Sequence, residues 1–229
     1  MALGNSNNHD SKYTLIILRP SFPKEGGGKP SFTVIKKEDG AYVECGNVDK
    51  FTGTLTKLQL GDLYDTSTEK GKALAEKYGN SKAVSLTFVD EATAEQYLVR
   101  FSFRLYTRAF FNSLLNVESV ENLQVALWQD AKTKHNRISL RQGDNLVKWK
   151  YSMEDVPRPE ETKNSRGVVV DVDYSNVDNF FYEKLEEFAN KVFSKQDSGP
   201  KETEKPKVVK QEKTVSKKVF ATEEDDIPF

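Results

Sequence analysis

The sequence predicts a mainly β protein: an OB-fold-like antiparallel β-barrel with a few accessory helices and a disordered C-terminal tail. Three observations lead there. Short apolar or alternating runs, each bounded by turn residues, recur through the first 195 residues. A short helical segment stands just before the final strands. Beyond Ser194 the chain turns to Lys, Glu, Pro, Val and Ser without any period. An ordinary β-sandwich is the alternative arrangement of the same strands.

The elements follow in order. Residues 1–11 read as a disordered lead, and TLIILR at 14–19 as the first strand. The breaker-rich RPSFPKEGGGKP after it is a loop. SFTVIKK (31–37) and AYVEC (41–45) flank a turn at Asp39-Gly40, a hairpin signature. FTGTLTKLQL (51–60) is a further strand in which Gly53 marks a bulge or bend. A helix spans about 67–78, with Thr66 and Glu69 at capping-box spacing and Gly79 ending it.

KAVSLTFV (82–89) and EQYLVRFSFRLY (95–106) are strands, and RAFFNSLLN (108–116) is a short helix with Phe110, Phe111, Leu114 and Leu115 on its apolar face. LQVALWQ (123–129), NRISLRQ (136–142) and LVKWKY (146–151) complete the strands. Residues 152–175 are charged and irregular apart from GVVVDVDY. The last helix spans about 177–193, with Ser175 and Asp178 placed to cap it and a stripe of Phe181, Leu185, Phe188 and Val192. That stripe serves packing or self-association. The chain thus divides into a lead (1–11), a domain (12–195), a Lys-rich linker (196–222) and an acidic tip (223–229).

Composition narrows the function. The chain has 229 residues, 14 Phe, 9 Tyr and a formal charge of −1. The part before residue 196 carries 27 basic and 27 acidic residues, so a nucleic-acid site there is a local patch and not a global field. The single cysteine, Cys45, reads as a buried, inert thiol. Neither a signal-peptide core nor a run of membrane-spanning length is present, which predicts a soluble, cytoplasmic protein that does not engage membrane. His9 and His135 have no partners at triad or metal spacing, and GGG at 26–28 lacks the Lys-Ser/Thr of a phosphate loop. No enzyme activity, metal or cofactor is expected.

Alternation sorts the strand faces. Tyr97, Val99, Phe101, Phe103, Leu105 and Trp149 fall on core positions. The opposite positions hold Arg100, Arg104, Tyr106, Trp128, Arg137, Arg141, Lys148 and Lys150, with no acid among them inside the strands. Lys132, Lys134 and His135 lie in the connecting turn. Cations for phosphates and rings for bases are the two requirements of a single-strand binder. The blander reading is that each Arg or Lys is an ordinary solvent-facing residue and that Trp128 covers a sheet edge.

The sequence closes on EEDDIPF. Glu223, Glu224, Asp225 and Asp226 run into Ile227, Pro228 and Phe229, which a partner's apolar pocket with a basic rim would bury. A generic acidic solubilising tail is the alternative. The ending DDIPF resembles the C-terminal tip of bacterial-type single-stranded DNA-binding proteins. The resemblance implies an OB domain on single-stranded DNA, and a flexible linker whose tip recruits replication, recombination and repair enzymes of the helicase, primase, polymerase or nuclease class. The long body and Lys-rich linker depart from the bacterial pattern and resemble a bacteriophage-encoded member, acting in the host cytoplasm. The tip is also expected to compete with DNA for the basic face. A strand-annealing mediator and a partner-only decoy of the tip remain the competing functions.

Overall fold

The computed structural model describes residues 13–22 and 28–193, with the Tyr78 side chain excepted. The lead, the linker and the acidic tip lie outside those residues. Nine strands form one sheet: β1 (Thr14–Ser21), β2 (Ser31–Glu38), β3 (Ala41–Val48), β4 (Lys50–Asp62), β5 (Lys82–Asp90), β6 (Glu95–Ser102), β7 (Leu123–Gln129), β8 (Asn136–Gln142) and β9 (Asn145–Leu146). Their spatial order is β3-β2-β1-β6-β5-β4-β7-β8-β9. Helices α1 (Glu69–Tyr78), α2 (Leu105–Leu114) and α3 (Ser175–Phe193) accompany it, and β10 (Glu160–Lys163) and β11 (Val169–Asp173) make a separate hairpin.

β4 organises this sheet. Its first residues, Lys50–Gly53, pair with β7, and Thr54–Asp62 pair with β5. The change of partner falls at Gly53, where an added Cβ would meet Val89 O at 3.0 Å and Phe88 Cβ at 3.1 Å. The close backbone approach therefore requires glycine. A register shift follows between Leu55 and Lys57, so the expected bend is present as a bulge beside the glycine. The three-strand meander β4–β5–β6 and the return of β7 to lie beside β4 make a Greek key.

The sheet is mainly antiparallel but open, which corrects the expectation of a closed barrel. It coils enough to bring β2 against β7, although four strands separate them in the sheet. Closure fails because β2 already has β1 and β3 on its two edges, while β7 has β4 and β8. β1 also joins β6 in parallel. The strand left to close the circle, β9, is two residues long.

Inside the coil lies one core. Phe51 packs edge-on against Phe32 at 5.2 Å and Phe88 at 5.1 Å, tying β2, β4 and β5. Phe101, Phe110 and Phe111 join β6 to α2. From α3, Val177, Phe181 and Leu185 enter the same core, while Phe188 is half-buried against it, so the helix stripe serves packing on this domain.

Several local expectations shift. Thr68, not Thr66, caps α1, its hydroxyl accepting from Gly71 N at 3.0 Å. α3 starts at Ser175, whose amide and hydroxyl donate to Asp173. Asp178 instead binds Arg108 of α2, accepting at 2.6 and 3.1 Å. Val169–Asp173 of GVVVDVDY form β11, and Val168, Val169 and Val170 are exposed.

Cys45 is exposed and not buried. In the β2–β3 ladder Ile35 faces Glu44 and Val34 faces Gly46, so Cys45 is the extra residue of a bulge on the edge strand. Among the described residues no helix is long and apolar enough to cross a membrane.

Leu185 is fully buried where α3 meets the core. Leu185→Ala is expected to destabilise the domain by about 2–5 kcal/mol, measured by chemical denaturation. A loss below about 1 kcal/mol would mean that α3 does not form part of the cooperative unit.

Candidate nucleic-acid interface

The β7–β8 hairpin is where the predicted cations and ring meet. Opposite residues in an antiparallel ladder share a face. Trp128 faces Arg137, Ala126 faces Ser139, and Gln124 faces Arg141. Beneath them Leu123, Val125, Leu127, Ile138 and Leu140 are buried in the core, so the basic residues take the outer face. Trp128 is 44% exposed there. β4 extends this face with Lys50 opposite Ala126 and Thr52 opposite Gln124, and both are exposed.

The hairpin tip is shaped by its one acid. Asp130 Oδ1 accepts from Lys132 N at 2.9 Å and Thr133 N at 2.7 Å. These hydrogen bonds, Thr133's first, hold the Asp130 carboxyl below its ordinary range. Lys134 takes a left-handed conformation with φ 58°. The acid is thus bonded into the turn, and Lys132, Lys134 and His135 are left exposed.

The other candidates lie elsewhere. β6 ends at Ser102, and Arg104 caps α2, with its amide donating to Thr107 Oγ1 at 2.6 Å. Arg104, Leu105 and Tyr106 therefore leave the strand face on which alternation placed them. Leu105 is 59% exposed and not core, whereas Phe101 and Phe103 are buried as expected.

Tyr106 packs on Phe22 with ring centroids 4.4 Å apart, and burial raises its phenol above the usual range. Arg100 donates to the Asp62 carbonyl. Burial works against its charge, and Asp62 and Asp65 favour it. The rung through Arg100, Ser85 and Gln59 lies nine residues along β4 from the Lys50 rung, or about 30 Å of strand. Tyr97, expected in the core, is half-buried against it. Its hydroxyl donates to Glu95 at 2.6 Å, and burial followed by that bond pushes its pKa up to about 12.

Lys148 and Lys150 form a third group. Of the expected 146–151 strand only Leu146 pairs with β8. Residues 147–151 continue as a strap in which Val147 N still donates to Leu140 O of β8 at 2.9 Å, while the rest runs along α2. Asn112 of α2 is 5% exposed. Its Nδ2 donates to Tyr151 O at 2.9 Å, and its Oδ1 accepts from Lys150 N at 3.1 Å and Tyr151 N at 2.9 Å. Asn116 Nδ2 donates to Lys148 O at 3.2 Å. Held this way, Trp149 is 53% exposed and not in the core.

No family model, curated protein or solved structure matches this chain.

The chemistry of the site is therefore argued from its own residues. The structure groups Trp128, Lys132, Lys134, Arg137 and Arg141 on one hairpin; Arg100, Arg104 and Tyr106 lie apart from it, and Lys148 and Lys150 sit on the strap that follows β9 at its edge. Sequence alternation missed Lys50 and Thr52, because only the β4–β7 register brings them beside Gln124 and Ala126. Among the described residues no group of three or more His, Cys, Asp or Glu could hold a metal ion.

Asn112→Ala removes three hydrogen bonds to the strap. It is expected to cost about 1–3 kcal/mol for the groups left unpaired, measured by denaturation, and to speed proteolysis within residues 147–153. Unchanged stability and cleavage would show that the strap is held by its apolar contacts alone.

Proposed function

We propose that the chain binds single-stranded DNA with little sequence preference, without catalysis, in replication, recombination and repair. The observation that carries this is the outer face of the β7–β8 hairpin, where a half-exposed indole sits among Lys50, Arg137 and Arg141 below a tip bearing Lys132 and Lys134. Phosphates would meet the cations while a base stacks on Trp128. Each ring has a π-face for any base, so such binding tolerates sequence. Because the body as a whole is neutral, the attraction is local and falls steeply with salt.

The Greek key of β7-β4-β5-β6, extended by β8, supports an OB-related origin in an open form. The resemblance carried by Asp225, Asp226, Ile227, Pro228 and Phe229 supports recruitment of replication and repair enzymes through Glu223–Phe229, as in a bacteriophage-encoded member of the single-stranded DNA-binding group.

Fluorescence anisotropy of labelled oligo-dT, with duplex DNA as competitor, tests the DNA-binding proposal. Tight, salt-sensitive binding that prefers the single strand is expected, and Trp128→Ala should weaken it by about 1–3 kcal/mol in a folded protein. Absence of binding at low salt would refute it. Deleting Glu223–Phe229 is expected to abolish capture of partner enzymes and to raise DNA affinity at low salt. Retained capture would remove the recruitment role.

A further inference from the structure

Trp149 lies in a mostly apolar groove between α2, the strap and the start of α3, with Leu105, Met153, Pro157 and Phe181 among its walls. Leu105, Trp149 and Met153 are 59%, 53% and 76% exposed. Such a patch carries large apolar surface that water does not favour. The backbone on both sides of the indole is bonded to Asn112 and Asn116, which fixes the point from which the ring is presented. A ring positioned before its ligand arrives loses little freedom on binding.

We propose that this groove is a second stacking subsite, which takes a base of the same single strand that crosses the β7–β8 hairpin. The inference rests on the proposed DNA binding and extends it across the strap. Continuity and charge favour this occupant. On the ladder Arg141 faces Leu146, three residues before Trp149, and Arg137 beside Trp128 lies four residues before Arg141. Arg137, Arg141 and Lys148 thus link the two indoles over about 25 Å of chain.

Arg158 lines the groove, Arg104 and Lys148 adjoin its wall residues Leu105 and Trp149 in the chain, and none of the three joins an ion pair among the described residues. Arg108 is already engaged by Asp178, with its guanidinium 4.3 Å from the Tyr174 ring. Just beyond the strap, Asp155 accepts from Ser152 and keeps its charge, so Glu154 and Asp155 stand against three cations. A phosphate-linked base presents a flat ring to the groove and charge to the rim, whereas an uncharged apolar peptide would leave those cations unmatched.

The chain has two tryptophans, so Trp128→Phe and Trp149→Phe each leave one indole as reporter. Both full-length variants are titrated with unlabelled oligo-dT of about 16 nucleotides, the upper site size for such modules, with anisotropy run in parallel. Quenching of Trp149 that saturates with anisotropy is the expected result. Trp149→Ala should then weaken binding roughly 5- to 150-fold, the range for one stacked base.

Binding with Trp128 quenched and Trp149 unchanged would overturn the subsite and leave DNA binding standing. No binding to either variant or to the parent would overturn both. Quenching of Trp149 by an acidic apolar peptide but not by oligo-dT would assign the groove to a peptide and overturn the subsite.

Discussion

The bend of β4 is the constraint on which the rest of the domain depends. A single strand that serves two ladders must change partner without leaving amides unpaired, and the Gly53 approach to β5 with the following bulge achieves this. Without that bend, β7 would have no edge to join, and the hairpin bearing Trp128 would lose its attachment. The curl also encloses the Phe32–Phe51–Phe88 cluster, so the same residues set the core and the position of the outer basic face.

Buried polar groups then decide where the chain goes once the sheet is complete. Asn112 satisfies three backbone groups of the strap, and Arg108 ties α2 to α3 through Asp178. Thr107, almost fully buried, accepts from Arg104 N, and its hydroxyl lies 2.8 Å from the Ser102 and Arg104 carbonyls, closing the passage from strand to helix. Apolar burial supplies most of the drive to collapse, but these directional bonds select one path for residues 147–151. They also account for a tryptophan held at the surface.

Much of this was legible in the residues. Alternation worked for LQVALWQ and NRISLRQ because one face of each is pressed on the core and the other is wet. It misled at FSFRLY, where period-two spacing runs on into the first turn of α2 and the Thr107 cap decides the change. LVKWKY has the pattern of a strand, yet Asn112 of a distant helix and Asn116 just after that helix take up backbone groups of its second half, and such tertiary competition leaves no local mark. Lys50 could be placed beside the hairpin only through the register of β4 with β7, which also depends on contacts distant in sequence.

The bulge at Cys45 has a consequence for how molecules of this protein meet one another. β3 is an edge strand of eight residues, and such an edge offers a row of amides and carbonyls to any passing strand. Cys45 is inserted without a ladder partner, and Gly46 beside it has φ 138°. The extra residue bends the edge and increases its local twist. A second sheet laid alongside would therefore lose register midway along β3, and the irregularity discourages edge-to-edge aggregation at a rim that nothing else among the described strands covers.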